Sequence, residues 1–279
     1  CVNPAVNLGE YLKKGRSAVF FSATLLPMNY YRKLLSNRQD DYGIYVESPF
    51  SQKNRCILNA GDVSSLYSRR GYEEYHKIAE YIARTVWQHK GNYMVFFPSY
   101  KMLEEVYAVY EEEFSVNWVK CICQNSSMKE QEREEFLQEF EQDQESLVAF
   151  CIMGGIFSEG IDLLGEKLIG AILVGTGLPQ LGNEREILRS FYTENGENGF
   201  DYAYRYPGMN KVLQAAGRVI RTREDHGVIL LLDERFRQRE YSNLFPVEWN
   251  DRKTCTLSNV EAQLQKFWES IPDKISHKL

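Results

Sequence analysis

No G-x-x-x-x-G-K-[ST] phosphate loop occurs anywhere in this 279-residue chain. No G-x-G-x-x-G follows its first apolar run either, so neither common nucleotide cradle is encoded here. No apolar run approaches the ~20 residues of a membrane span, which argues against a helical membrane anchor within the chain. Cysteine is scarce and scattered over Cys1, Cys56, Cys121, Cys123, Cys151 and Cys255. Only Cys121 and Cys123 lie close together, and a one-residue gap without a second pair is not structural-zinc spacing. No metal ligands are therefore expected. Reduced thiols in a cytoplasmic protein are, of bacterial type and able to associate with the nucleoid. Basic charge is in deficit: the formal net charge of -6 disfavours a protein that coats nucleic acid by bulk charge and leaves only a local track. Arg205, Lys211, Arg218, Arg221 and Arg223 are the first candidates for it, then Arg235, Arg237 and Arg239. Repeats and low-complexity tracts are missing. The chain opens on Cys1 without a signal pattern behind it, so a cut fragment is expected.

What is present describes an ordinary globular protein, 43% hydrophobic and 26% charged, long enough to bury one substantial core or two small ones. Apolar β-branched and aromatic runs at 19–21, 56–58, 94–97, 119–123, 147–151, 168–174 and 228–232 predict short buried strands. Amphipathic stretches at 72–87, 101–114, 129–141, 184–192, 210–221 and 260–268 predict helices between them. The strand-then-helix order implies a mostly parallel, doubly wound α/β sheet with helices on both faces. Ligands of such sheets sit beyond the carboxyl ends of the strands. Residues 1–27 differ in kind and read as the tail of a preceding domain, and 28–55 read as a connector holding one short Tyr-rich helix. Residues 56–279 form the main domain.

Three stretches carry chemistry. In Phe96-Phe97-Pro98-Ser99-Tyr100 an apolar strand breaks and Ser99 takes the N-cap position of the next helix. A helix N-terminus with a hydroxyl suits an anion such as a nucleic-acid phosphate, although plain capping is the commoner use. Met153-Gly154-Gly155-Ile156-Phe157-Ser158-Glu159-Gly160-Ile161-Asp162 follows a buried strand, and its glycines let backbone N–H groups approach a phosphate or ribose. Asp162 is an acceptor suited to a sugar hydroxyl, and Glu159 could position a water or pair with an arginine. Finally, Gln214-Ala215-Ala216-Gly217-Arg218-Val219-Ile220-Arg221 places Gln214, Arg218 and Arg221 at i, i+4 and i+7 of a predicted helix, one face of an arginine clamp for polyphosphate oxygens. The competing reading is a surface face salt-bridged to Glu224 and Asp225.

Taken in order, Ser22-Ala23-Thr24-Leu25, Phe97 to Tyr100, Gly155 to Asp162 and Gln214 to Arg221 resemble motifs III, IV, V and VI of superfamily-two helicases. Their wording is similar to the DinG/XPD family of iron-sulfur DNA helicases. Ser48-Pro49-Phe50, Tyr206-Pro207-Gly208 and Leu232-Asp233-Glu234-Arg235-Phe236 are similar to that family as well. The resemblance implies a RecA-like fold and an ATP-dependent helicase that moves along single-stranded DNA with 5′-to-3′ polarity. It assigns catalytic contact with ATP phosphates to Arg218 and Arg221, with Arg221 as the arginine finger and Gln214 ordering that contact. ATP binding and coupling fall to Asp162, Glu159, Gly160, Gly217 and Thr24, and DNA contact to Ser99, Tyr100, Gly155, Ser158 and Ser22. The implied partners are single-stranded DNA and a first motor domain of the same protein, with no membrane. The phosphate loop, the Mg²⁺-binding acids and the four cysteines of a 4Fe-4S cluster would all belong to that first domain, so ATP and Mg²⁺ would be held mainly there. This chain would be the second motor domain, inactive alone.

Two other readings compete. A non-enzymatic module gripping single-stranded DNA or a repair partner would bind without any effect of ATP. A metabolic nucleotide enzyme on a similar sheet would need the phosphate cradle that the sequence lacks.

Overall fold

The computed structural model describes residues 2–36, 38, 40–142, 145–158, 163 and 165–272. Strands β1 (Arg55–Ala60), β2 (Asn92–Phe97), β3 (Val119–Cys123), β4 (Ser146–Ile152), β5 (Gly170–Val174), β6 (Gly227–Leu232) and β7 (Lys253–Cys255) form one sheet in the order β3-β4-β2-β5-β6-β1-β7. Every pairing is parallel. The helices are α1 (Ala5–Leu12), α2 (Met28–Leu35), α3 (Tyr72–Val86), α4 (Tyr100–Glu113), α5 (Glu130–Gln138), α6 (Asn183–Glu194), α7 (Tyr206–Ala216), α8 (Arg239–Ser242) and α9 (Val260–Ser270).

Each central strand sends alternate side chains into two separate cores. Tyr93, Val95 and Phe97 of β2 join α3, α4 and α9 on one face, where Ile78, Leu103 and Leu264 are buried. Met94 and Phe96 face the other way, toward Phe136 of α5 and Met209, Val212 and Leu213 of α7. A strand buried on both sides is apolar along most of its length, which is why β2, β4, β5 and β6 carry unbroken apolar runs, while in β1 the run ends at the buried Asn59. Each such large side chain contributes about 1.5–3 kcal/mol by leaving water. The result is the RecA-like, doubly wound sheet that the strand-helix alternation implies.

Three expectations need correction. Residues 19–21 form no strand: Val19, Phe20 and Phe21 are exposed, and among the described residues they pair with no neighbour. Their β propensity is local, whereas a strand exists only where another chain segment supplies its hydrogen bonds. The helix expected at 210–221 instead starts at Tyr206 and stops at Ala216, with Gly217 as its cap. The cause is tertiary, because Val219 and Ile220 turn inward to the core and Asp225 captures the main chain beyond them. The α5 helix ends at Gln138, and one 3₁₀ turn, Glu139–Glu141, completes the stretch. Neither α1 nor the short edge strand β7 was foreseen.

An arm between β5 and β6 sets the start of α7. Gly175 and Gly177 hold φ near +80° and +66°, and a Cβ on Gly177 would sit 2.5 Å from the Gly208 carbonyl. Only glycine lets α7 begin so close to the sheet. The single π turn Asp201–Arg205 precedes it, and α2 docks on this junction through Tyr30, whose ring lies 5.2 Å from that of Tyr202 and 5.0 Å from that of Tyr206. Asn210 hydrogen-bonds the Tyr31 hydroxyl, and Lys33 pairs with Glu197. Such aromatic pairs add about 0.5–1.5 kcal/mol each beyond burial. They bind the N-terminal segment to the face that carries the site.

Candidate functional site

Three neighbouring strands, β3, β4 and β2, deliver adjacent loops to the carboxyl edge of the sheet. After β2, Ser99 has extended backbone and its Oγ accepts from the Met102 N–H at 3.4 Å, capping α4. The cap expectation is thus met, and Tyr100 opens the helix. After β4, the chain turns through Gly154 at φ +73°. The stem of Lys211 crosses this bare backbone, since a Cβ on Gly154 would lie 2.6 Å from Lys211 Cδ. Ser158 is fully buried, and its Oγ donates to the Gly155 carbonyl at 2.8 Å. Glu159, Gly160 and Asp162 lie outside the described residues.

Gln124, just past the end of β3, lies outside every sequence motif. Its Oε1 accepts from the Ile152 N–H at 2.8 Å and its Nε2 donates to the Tyr100 hydroxyl at 3.1 Å. Only 5% of it is exposed, so both polar ends are served by protein rather than water. A lone glutamine after a strand carries no sequence signal, and its partners lie 24 and 28 residues away.

The arginine stretch sits over the α7 face of the sheet. Gln214 is in the last turn of α7, half-buried, and Gly217 closes the helix with its N–H on the Leu213 carbonyl at 2.9 Å. Arg218 lies in the turn that follows. Its Nε and Nη2 donate to the Ser158 carbonyl at 3.1 and 2.9 Å, joining this stretch to the glycine loop. Arg221 lies in irregular chain past the turn, so the clamp is not one helix face as expected.

The stretch descends to the amino edge, where the Arg223 carbonyl accepts from Asn54 at the start of β1. It does not stand with Ser99 and Tyr100 at the carboxyl edge. Asp225 fixes its path: one carboxylate oxygen accepts from the Arg221 and Thr222 N–H groups, each at 2.7 Å, and the other from Thr222 Oγ1 at 2.6 Å. Burial alone would raise the Asp225 pKa, but the bonds from Thr222, from the main chain at Arg221 and Thr222, and from Gly165 outweigh it and hold the carboxyl below its usual range. Asp225 therefore serves the main chain instead of salt-bridging a surface helix.

The basic candidates do not form one track. Arg205 pairs with Asp201 of the same π turn and faces the Tyr241 ring. Arg235 is spent on the fully buried Asp233 after β6, donating from Nε and Nη2 at 2.8 and 2.9 Å, with Ser65 closing the cluster. Burial opposes ionisation of Asp233, yet the Arg235 hydrogen bonds and charge and the Ser65 hydroxyl keep its pKa depressed. Ser22 and Thr24 lie on the N-terminal segment, where the Thr24 N–H donates to Ser22 Oγ at 3.2 Å.

Among the described residues no group of three or more His, Cys, Asp or Glu side chains could hold a metal ion. Cys56, Cys121, Cys123, Cys151 and Cys255 are free, and burial raises the pKa of each thiol. No helix among the described residues is long and apolar enough to cross a membrane.

The fold is a parallel RecA-like sheet with a glycine loop after β4 bonded to an arginine stretch after α7. The pattern of the helicase C-terminal domain family matches residues 82–252, and the chain belongs to that family. The curated relatives include regulator of telomere elongation helicase 1 homologs from Culex quinquefasciatus and Aedes aegypti, 27% and 29% identical over 97% of this chain. The chain spans about 30% of their length. Among solved structures, an XPD helicase superposes with a TM-score of 0.65 at 21% identity, over 91% of this chain and 45% of its own. A second, the XPD apo form, gives 0.57 at 21% identity over 72% and 40%. These likenesses agree with the motif-based resemblance to the DinG/XPD helicases.

Proposed function

We propose that this chain is the second motor half of an ATP-dependent helicase that translocates on single-stranded DNA with 5′-to-3′ polarity. The observation that carries the reading is the bonding of Arg218 to the glycine loop beside an Arg221 whose main chain Asp225 fixes. Residues 1–27 would complete the first motor domain and 28–55 connect it to the second. The exposed, apolar 19–21 stretch supports that division, since a central strand of another sheet has this composition.

In this reading ATP lies between two motor domains, and this one presents arginines to the phosphate oxygens. Guanidinium groups neutralise charge that builds on the transferred phosphoryl group. Mg²⁺, held by the first domain, would supply the remaining charge compensation. The arginines fit an outer set and not a metal grip, because the Asp225 carboxylate beside them is engaged by main-chain N–H groups. Asp162 and Glu159 are proposed to sense nucleotide, with Gly160, Gly217 and Thr24 coupling it to movement. Ser99, Tyr100, Gly155 and Ser22 are proposed for the DNA backbone. The buried Ser158 would act through its bonds to Gly155 and Arg218. A cytoplasmic location and a 4Fe-4S cluster in the first domain complete the proposal.

Two measurements test it. The isolated chain should show no DNA-stimulated ATP hydrolysis, and turnover that survives repurification would overturn the half-site reading. Ser99→Ala in the two-domain enzyme should weaken single-strand binding and also cost about 1 kcal/mol of stability through the lost cap. Unchanged DNA affinity alongside that stability loss would return Ser99 to capping alone.

A further inference from the structure

We propose that Gln124 is a positioning residue that couples DNA contact at Tyr100 to the arginine stretch. This rests on the reading of the site as a DNA-stimulated ATPase, and it assigns a role to a side chain that none of the motifs includes.

A series of hydrogen bonds, joined through the main chain of Ile152, Gly155 and Ser158, links Tyr100 to Arg218. The Tyr100 hydroxyl accepts from Gln124 Nε2, and Gln124 Oε1 accepts from the Ile152 N–H. The Ile152 carbonyl accepts from the Gly155 N–H at 3.1 Å, and the Gly155 carbonyl accepts from both the N–H and the Oγ of Ser158. The Ser158 carbonyl then receives Arg218. Gln124 is the one side chain in this series that uses a donor and an acceptor toward different elements, α4 on one side and the end of β4 on the other. Its Nε2 also lies 3.6 Å from where a Cβ on Gly155 would be, directly beneath the glycine loop.

Burial makes the link stiff. With 5% exposure, neither amide end of Gln124 has solvent to fall back on. A shift of Tyr100 on contact with a strand must therefore drag the amide or break a bond that water does not replace. Dragging it moves the Ile152 N–H and, through Gly155 and Ser158, the carbonyl that holds Arg218. A series of bonds is a coupling only when its ends respond to one another, and a double-mutant cycle measures that.

The test uses the two-motor-domain enzyme and an oligothymidylate at saturating concentration, so that changes in affinity drop out. The readout is the ratio of stimulated to unstimulated ATP turnover for wild type, Gln124→Met, Tyr100→Phe and the double variant. Gln124→Met keeps the length and removes both polar ends. Tyr100→Phe removes only the hydroxyl and leaves the bond to Ile152 intact. Gln124→Met should lower the ratio about 10-fold, within the usual span of site-to-site coupling. The double variant should be no worse than Gln124→Met, because both changes cut one series. An unaltered ratio in folded Gln124→Met, or losses that multiply in the double variant, would overturn the relay. Should Gln124→Met fail to fold, Tyr100→Phe alone must lower the ratio, and an unaltered ratio there overturns the relay too. A wild-type enzyme with no stimulation at all defeats the underlying reading of the site, which separates that failure from this one.

Discussion

Arg221→Ala in the two-domain enzyme should lower ATP turnover by about 10³-fold or more, the usual worth of an arginine finger, while leaving single-strand affinity nearly unchanged. Steady-state hydrolysis and fluorescence anisotropy on the same preparation check both halves. The resemblance to motif VI is what proposes Arg221 as the finger, with Arg218 beside it. Two nitrogens of Arg218 are committed to the Ser158 carbonyl, so Arg218 has a duty within its own domain. Truncating Arg218 should therefore loosen the glycine loop as well as the phosphate contact, and its kinetic loss should come with altered DNA binding. Turnover unaffected by Arg221→Ala would remove the finger assignment.

Asp225→Ala is the second large effect. It deletes a carboxylate that accepts from the main chain at Arg221 and Thr222 and from Thr222 Oγ1. Turnover should fall by about 10²-fold, as displacements on the order of 1 Å at a reacting centre do, although Asp225 is proposed to touch no substrate. Stability should fall by about 2–4 kcal/mol, since buried N–H groups lose their acceptor. The pH dependence has a definite sign. Asp225 has a folded-state pKa held below its ordinary value, so its contribution is complete above the unfolded pKa of about 3.9. It is lost as pH falls through the lower folded value. Wild type should therefore lose stability on acidification below about pH 4, and Asp225→Ala should have less to lose there. Urea unfolding midpoints across pH 3–7 measure this, and parallel acid limbs in the two proteins would contradict it.

The sheet was legible because of where it lies. Strands such as β2 and β6 are buried on both faces, so burial itself wrote unbroken apolar runs into the sequence. Lys253-Thr254-Cys255 carries no such mark, because an edge strand exposed at two of its three residues needs no apolar pattern. The 19–21 stretch has the composition of a core strand but finds no neighbour among the described residues, and pairing is a non-local property. At the arginine stretch, Val219 and Ile220 extend the helical periodicity of α7 in sequence while turning into the core in space. The captor responsible, Asp225, looked like a surface charge. Gln124 was least legible of all, since its meaning comes from two partners brought together only by the parallel order of β3, β4 and β2.

The grip of Asp225 also bears on the entropy of each catalytic cycle. Ordering a residue of backbone costs about 1–2 kcal/mol, and a finger on a floppy loop would meet that cost at every closure of the two domains. Here the main chain of Arg221 and Thr222 is ordered once, when the domain folds. In the proposed cycle, the free energy released by nucleotide binding would then go into moving one domain against the other, with none of it diverted to assembling the loop that carries the arginine.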